Sequence, residues 1–462
     1  MREWFRKNKT IVILFLLALV PRLVFMLATF FILGDYRFVE DQDRYLISGW
    51  NLLVHGVYTG HPDVSLGPRS FPAPGYPILL AISWLIIPKY LFIVFWQNII
   101  YSIFIVFIYK FARLFFNNFV SLGAALLMVF EPFSIFWPNV VMSEMPFLLF
   151  FMVSIYFLAL FWREQKWKYI VFSAILLGLA ALVRQVALYF YLLILFSSIV
   201  ILWQKITWSR LAKFLIVYLI ILLAVTAPWC IRNKIQFGDY TISNQTHLLY
   251  FLGAARDFLV LSREISRAEA DAYLQGLAVE KAGVEDFSQV EGVDKYIPVL
   301  KEITFSLIKE HPLTYLKWHL IKSLPVLTNS GWMKILSFWE VDSDQAASVN
   351  ITNLLAQGKY SSLIVTFRED PAFLIRILGI GFWLLIDLIA LLGVILMLLR
   401  KDLFKIGLTM LMIIGYIVFV SSWAAMARLR LPFQPFLFIF VAYAIYIFYL
   451  KYIRKTSYQK YA

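Results

Sequence analysis

The chain has 462 residues, 61% of them hydrophobic and 18% aromatic, with a mean hydropathy of +0.77 and a formal net charge of +14. A soluble domain is about 45–50% apolar, so a soluble fold is excluded, and repeated apolar runs of roughly 20 residues predict an all-α polytopic membrane protein. The basic residues cluster between apolar runs, with no basic-aromatic nucleic-acid module, and Cys230 as single cysteine leaves no intrachain disulfide and no cysteine metal site.

Met1 to Lys9 is basic and leads into an apolar run over 10–33. No small-residue cleavage site follows, so 10–33 is predicted to be a retained anchor helix. The first outer loop, 34–90, packs Glu40, Asp41 and Asp43 into four residues of a chain that is only 15% charged. Tyr45, Leu46, Gly49, Trp50, Leu52 and Leu53 then recur at helical spacing and predict an amphipathic helix over 42–54. Asp41 stands at its start and shares a face with Tyr45. Such a helix at a membrane edge suggests an interfacial element with an acidic site at its mouth; an aspartate there also serves as a plain N-cap. The loop continues through Gly56 and Tyr58 to Pro72-Ala73-Pro74-Gly75-Tyr76-Pro77. His55, His61 and Asp63 lie in it without metal-type spacing. The run 76–87 is too short, at ~1.5 Å per residue, to cross a ~30 Å hydrocarbon core.

Further spans are predicted at 91–111, 118–138, 146–162, 169–186, 187–203, 213–230, 372–399, 405–422 and 432–450, about ten crossings in all. With the N-terminus inside and 76–87 along the surface, the clusters at Lys110/Arg113, Arg163/Lys166/Lys168, Lys205/Arg210/Lys213, Arg400/Lys401/Lys405 and Lys451/Arg454/Lys455 all fall inside. Counting 76–87 as a crossing puts every one of them outside, so the positive-inside rule decides. Three regions follow: an N-terminal transmembrane module, 1–230, whose outer loop carries the site; a small, mainly helical extracytoplasmic domain, 231–371; and C-terminal transmembrane helices, 372–462.

On this topology the outer face collects Asp41, Asp43 and Glu144 as acids and Arg184, Arg428 and Arg430 as bases. Glu144 opens a helix after Pro138, where a negative charge also complements the helix terminus. Arg184 sits between two apolar runs; an ionisable residue there marks function, or snorkels to the interface. Arg428 and Arg430 break the positive-inside pattern, which an anionic ligand explains, as does pairing with the acidic outer domain. No nucleotide-binding loop, serine-hydrolase elbow or zinc-protease motif occurs in a fitting context. Asn244-Gln245-Thr246 and Asn350-Ile351-Thr352 are glycosylation sequons.

The order Asp41-x-x-x-Tyr45, Gly56-Val57-Tyr58 and Pro74-Gly75-Tyr76-Pro77 resembles the GT-C superfamily of integral-membrane glycosyltransferases, in the branch of protein O-mannosyltransferases and the lipid A aminoarabinose transferase. Ser143-Glu144, Leu182-Val183-Arg184, Pro228-Trp229-x-x-Arg232-Asn233 and Arg428-Leu429-Arg430-Leu431-Pro432 are similar to that pattern too. The likeness runs through the membrane part and is weak across 234–371; relatives often carry Asp-Glu where this chain has Asp41-Gln42.

The resemblance implies transfer of a sugar, with inversion, from a polyprenyl-phosphate donor to a lipid, protein or glycan acceptor outside the cell (plasma or inner) membrane. Asp41, or Asp43 beside it, is implied as general base and Glu144 as its positioning partner. Arg184 with Arg428 or Arg430, the latter slightly favoured, is implied for the donor phosphate, and Tyr45, Tyr58 and Tyr76 for substrate. No cofactor is certain, and a divalent metal stays open. A transporter or flippase for a lipid-linked or anionic substrate is the alternative; it lacks support from inverted repeats or paired broken helices. A non-catalytic scaffold leaves Asp41 and Arg184 without a role.

Overall fold

Every described element is a helix, a turn or an irregular link; no strand occurs among the described residues. The computed structural model describes residues 2–34, 42–203, 205–283, 296–339, 365, 371–421 and 426–453. In chain order, α1 (Arg2–Leu33) is followed by the amphipathic α2 (Gln42–His55) and the short α3 (Gly75–Ile86). Helix α4 (Tyr90–Ala112) precedes α5 (Asn118–Phe130) and α6 (Pro132–Phe136). Then come α7 (Glu144–Glu164), α8 (Trp167–Val183), α9 (Val186–Leu202) and α10 (Trp208–Phe237).

Seven described helices are long and apolar enough to cross a membrane, and eight if the bent α5–α6 pair counts as one span. The expected ten also counted α8 and α9, which have 17 residues each. At ~1.5 Å per residue they reach about 26 Å, short of a ~30 Å core. The predicted continuous span 118–138 is broken by 68° between Phe130 and Pro132. The cause is local: Pro132 lacks an N–H, and Glu131 turns extended and caps the new helix, accepting from Phe133 N at 3.0 Å and Ser134 N at 2.7 Å. Helix α3 stays a single short helix with Tyr76, Leu80 and Trp84 on its buried face.

The membrane core centres on α7, which packs against α4 and α8. Beyond it, α18 (Pro371–Leu398), α19 (Phe404–Ser421) and α20 (Gln434–Phe448) close the bundle, with α20 lying against α5 and α18.

Between α10 and α18 lies a region of shorter helices. It holds α11 (Gln245–Leu249), α12 (Arg256–Arg263), α13 (Arg267–Ala282), α14 (Ile297–Glu310), α15 (Pro312–Ser323), α16 (Pro325–Thr328) and α17 (Trp332–Phe338). Its own small core joins Phe251, Leu259, Leu274, Leu300, Ile303 and Leu307. The stretch 301–327 runs through three helices, because Pro312 and Pro325 each start a new one.

Candidate active site

Buried amides prepare the N-terminus of α7. The irregular segment 137–143 leads from the bend after α6 into α7, and its backbone groups need partners because they are buried outside a helix. Gln97 of α4 supplies two, donating through Nε2 to the carbonyls of Pro138 at 3.0 Å and Val140 at 2.9 Å. Its Oε1 accepts the Tyr76 hydroxyl at 2.6 Å. Asn98 donates to Asn139 Oδ1 at 3.0 Å, and Gln42 Oε1 accepts from Val141 N at 3.2 Å.

Glu144 is thereby fixed as the first residue of α7, 1% exposed, at a helix end that favours an anion. Its Oε1 lies 2.5 Å from Arg184 Nη1 and 3.8 Å from Arg428 Nε. Arg184 ends α8 in an extended conformation, its N–H still bonded to Ala180 O at 2.8 Å. Gly75 lets α3 dock there: a Cβ on it would meet Val183 Cγ2 at 2.8 Å and the Leu182 carbonyl oxygen at 2.9 Å. This close approach gives the Pro-Gly-Tyr-Pro motif its physical sense. Ser143 Oγ donates to the Tyr45 hydroxyl at 3.3 Å, and the Tyr45 ring lies edge-on to Tyr76 at 5.4 Å. Burial pushes the Tyr45 hydroxyl above its ordinary value, with Arg184 opposing, so the phenol stays protonated.

A cavity of about 300 Å³ opens onto this triad. Its lining combines the polar Tyr45, Glu144, Arg184 and Arg428 with the apolar Val186, Leu249, Ile417, Val420 and Leu429. Charge and hydrocarbon in one lining suit an amphiphile with an anionic head.

Four of the site residues read from sequence therefore meet: Tyr45, Glu144, Arg184 and Arg428. Asp41 lies outside the described residues. Asp43 sits in the first turn of α2, exposed and off the cavity wall. Tyr58 and Tyr76 are buried, Tyr58 donating to Pro72 O at 2.8 Å and Tyr76 to Gln97, and neither lines the cavity.

The slight preference for Arg430 over Arg428 does not match the geometry. The two sit in a 3₁₀ turn, Ala427–Arg430, where residues two apart diverge by about 240°. Arg430 turns inward, fully buried and 3.3 Å from the Trp383 ring centroid. It donates to the carbonyls of Val326 at 3.2 Å, Leu327 at 3.1 Å and Asn329 at 2.7 Å, so it finishes the end of α16. Burial lowers its pKa to about 10.

His61 and Asp63 bond each other through Asp63 N and His61 Nδ1 at 3.1 Å. Among the described residues no group of three or more His, Cys, Asp or Glu is placed to hold a metal. Asn244 of the first sequon is fully buried, and the second sequon lies outside the described residues.

Sequence reasoning missed the supports. Gln97-Asn98 in the middle of an apolar run was the available signal. So was Arg22 within the first span: it is fully buried, lies 4.7 Å from the Tyr101 ring centroid, and donates to Met128 O at 3.1 Å near the end of α5, beside the break.

Residues 71–231 match the family model for dolichyl-phosphate-mannose-protein mannosyltransferase. No match is found among curated proteins. Among solved structures, the archaeal oligosaccharyltransferase AglB from Archaeoglobus fulgidus, in complex with an inhibitory peptide and a dolichol-phosphate, is 16% identical at a TM-score of 0.51; the alignment covers 97% of this chain and 51% of AglB. The Archaeoglobus fulgidus oligosaccharyltransferase tethered to an acceptor peptide with the NVT sequon gives 15% identity, a TM-score of 0.51, and coverage of 97% of this chain and 50% of that one. ArnT from Cupriavidus metallidurans, bound to undecaprenyl phosphate, gives 12%, 0.41, 95% and 77% in the same order. The chain spans about half the length of the two oligosaccharyltransferases, and its likeness to them is one of fold.

The likeness to the solved structures is one of fold, and the family match falls on the segment that carries much of the candidate site. The segment similar to the dolichyl-phosphate-mannose-protein mannosyltransferase model holds Gly75, Tyr76, Gln97, Glu144 and Arg184.

Proposed function

We propose that this protein transfers a sugar from a polyprenyl-phosphate donor to an acceptor on the outer face of the cell membrane, with inversion at the anomeric carbon. The observation that carries the reading is the Arg184–Glu144–Arg428 triad in a cavity whose lining also includes apolar side chains. Two guanidiniums suit a phosphate by forked hydrogen bonds. The apolar Val186, Ile417 and Val420 take the first part of the donor's lipid chain.

The chemistry then follows from charge. The bond between the anomeric carbon and the phosphate oxygen breaks, its electron pair goes to the phosphate, and Arg184 and Arg428 stabilise that growing charge. The acceptor hydroxyl or amine attacks from the opposite face and gives its proton to a carboxylate. Asp41 is assigned as that base on motif order, with Asp43 as its neighbour. Glu144 holds the two arginines and, through Ser143 and Tyr45, faces the reacting end. A lipid phosphate is a good leaving group, so no strong general acid is needed. Both termini lie inside in this reading.

The test uses purified full-length protein and a polyprenyl-phosphate donor radiolabelled in the sugar, incubated with a cell-envelope extract. Label leaving the lipid phase for an acceptor supports the reading. Donor that binds and moves across a proteoliposome bilayer with its sugar still attached supports the transporter instead.

A further inference from the structure

Helix α15 turns two different faces to its surroundings. One face is built into the protein. Trp318, His319 and Ser323 are buried, and Lys322 Nζ lies 3.7 Å from Asp257 Oδ2 of α12. His319 reaches α19: its Nε2 donates to Phe419 O at 2.8 Å, and its ring centroid lies 4.6 Å from that of Phe419. The other face is aliphatic. Leu313 is 80% exposed; Leu316, Leu320, Ile321 and, just past the helix end, Leu324 are between 47% and 57% exposed. At 3.6 residues per turn these five side chains fall within an arc of about 140°.

Water does not suit this arc, and a neighbouring helix shows what a water-facing surface looks like. The exposed positions of α13 include Arg267, Glu269, Gln275, Glu280 and Lys281 and no large apolar side chain. Continuity names a different occupant for α15. Helix α19 is long and apolar enough to cross a membrane, and Leu411, Gly415 and Phe419 are exposed along it at four-residue spacing, on one face. That lipid-facing stripe ends at Phe419, where His319 docks α15. The aliphatic face is therefore attached to the end of the bundle's hydrocarbon-facing surface. Lys317, also exposed, is the charge within the arc. A lysine stem lies along apolar surface while its ammonium reaches out to headgroup phosphates.

We propose that α15 is an interfacial helix whose partner is the lipid surface itself: Leu313, Leu316, Leu320 and Leu324 sit among the acyl chains of the leaflet at the Ser421 end of α19. The placement bears on the cavity. Tyr315 and Tyr250 pack on one apolar cluster with Phe258 and Trp318, and Tyr250 lines the cavity that holds the triad. Helix α15 thus ties part of the cavity lining to the membrane surface, whatever molecule the cavity takes.

The experiment places single cysteines in a Cys230→Ala background, spin-labels them, and reconstitutes the full chain in palmitoyl-oleoyl phosphatidylcholine bilayers. Collisions with oxygen, which concentrates in hydrocarbon, are compared with collisions with a neutral nickel chelate, which stays in water. Leu313→Cys, Leu316→Cys and Leu320→Cys report the arc. Leu411→Cys is the lipid reference, and Glu264→Cys and Gln275→Cys are the water references. Oxygen should prevail over nickel at the three arc positions as it does at 411, and nickel should prevail at 264 and 275. All three arc side chains are exposed, so a label fits without repacking the interior, and any two of them decide should the third disturb the fold. Nickel prevailing at 316 and 320 overturns the proposal, since the face then lies in water. So does exclusion of both reagents there, which shows the arc covered by protein, from this chain or from a second copy.

Discussion

Removing the carboxylate of the buried Glu144 sets two partly buried cations against each other. Glu144→Gln keeps the volume but takes away the counter-charge 2.5 Å from Arg184 and 3.8 Å from Arg428. At an effective dielectric constant of about 20, a unit pair near 4 Å is worth about 4 kcal/mol, and breaking a buried pair costs about 3–5 kcal/mol. Arg184→Gln should cost a similar amount, because it strands Glu144, 1% exposed, with Arg428 as its remaining cation. The double variant should recover at least about 2 kcal/mol of the sum, since neither charge is then left behind. At roughly 1–2 °C per kcal/mol for a chain this long, each single change lowers the apparent Tm in detergent by roughly 3–10 °C, and the double by clearly less than the total. Glu144→Gln should also tighten binding of undecaprenyl phosphate about tenfold, because the anion no longer competes with a carboxylate for the guanidiniums. Additive Tm losses would refute the buried triad. Donor affinity that falls in Glu144→Gln would refute the view that these arginines face the phosphate.

Asp41→Asn should lower turnover by about 10²–10⁴ with donor affinity kept, as loss of a general base does; Asp43→Asn sharing that loss while Asp41→Asn stays active moves the base by two residues. Gln97→Leu leaves the carbonyls of Pro138 and Val140 without their donor. The resulting shift of Glu144 should cost about 10–100-fold in turnover, and wild-type rates from that variant would show the amide clamp to be incidental. For topology, single cysteines in a Cys230→Ala background should react with impermeant reagent in intact cells at the exposed Ser65 and Glu264 positions and not at the exposed Asn117 or Lys205. Labelling at Asn117 would invert the assignment drawn from the positive-inside rule.

Much of the site was legible because the membrane makes polar residues conspicuous. Glu144 and Arg184 stood out as charges at the ends of apolar runs, and α2 stood out by its period, covering 42–55 against the expected 42–54. What stayed hidden depends on partners far along the chain. Whether Arg428 or Arg430 faces the cavity is decided by where α16 ends, at carbonyls of Val326 to Asn329 about a hundred residues away. Gln97 looked like a stray amide until the segment at 138–140 came to rest on it. The break at Glu131-Pro132 was written in the sequence, but the apolar run around it read as one span. The lengths of α8 and α9 turned on a boundary at Arg184, where the chain leaves the helix to present that side chain.

The most direct measurement of the central claim is titration of undecaprenyl phosphate into purified wild type, Arg184→Ala and Arg428→Ala. The triad reading predicts saturable binding by wild type and a loss of at least about tenfold in affinity for each variant, as removal of a charge-assisted phosphate contact requires. Equal affinity in all three proteins would contradict it.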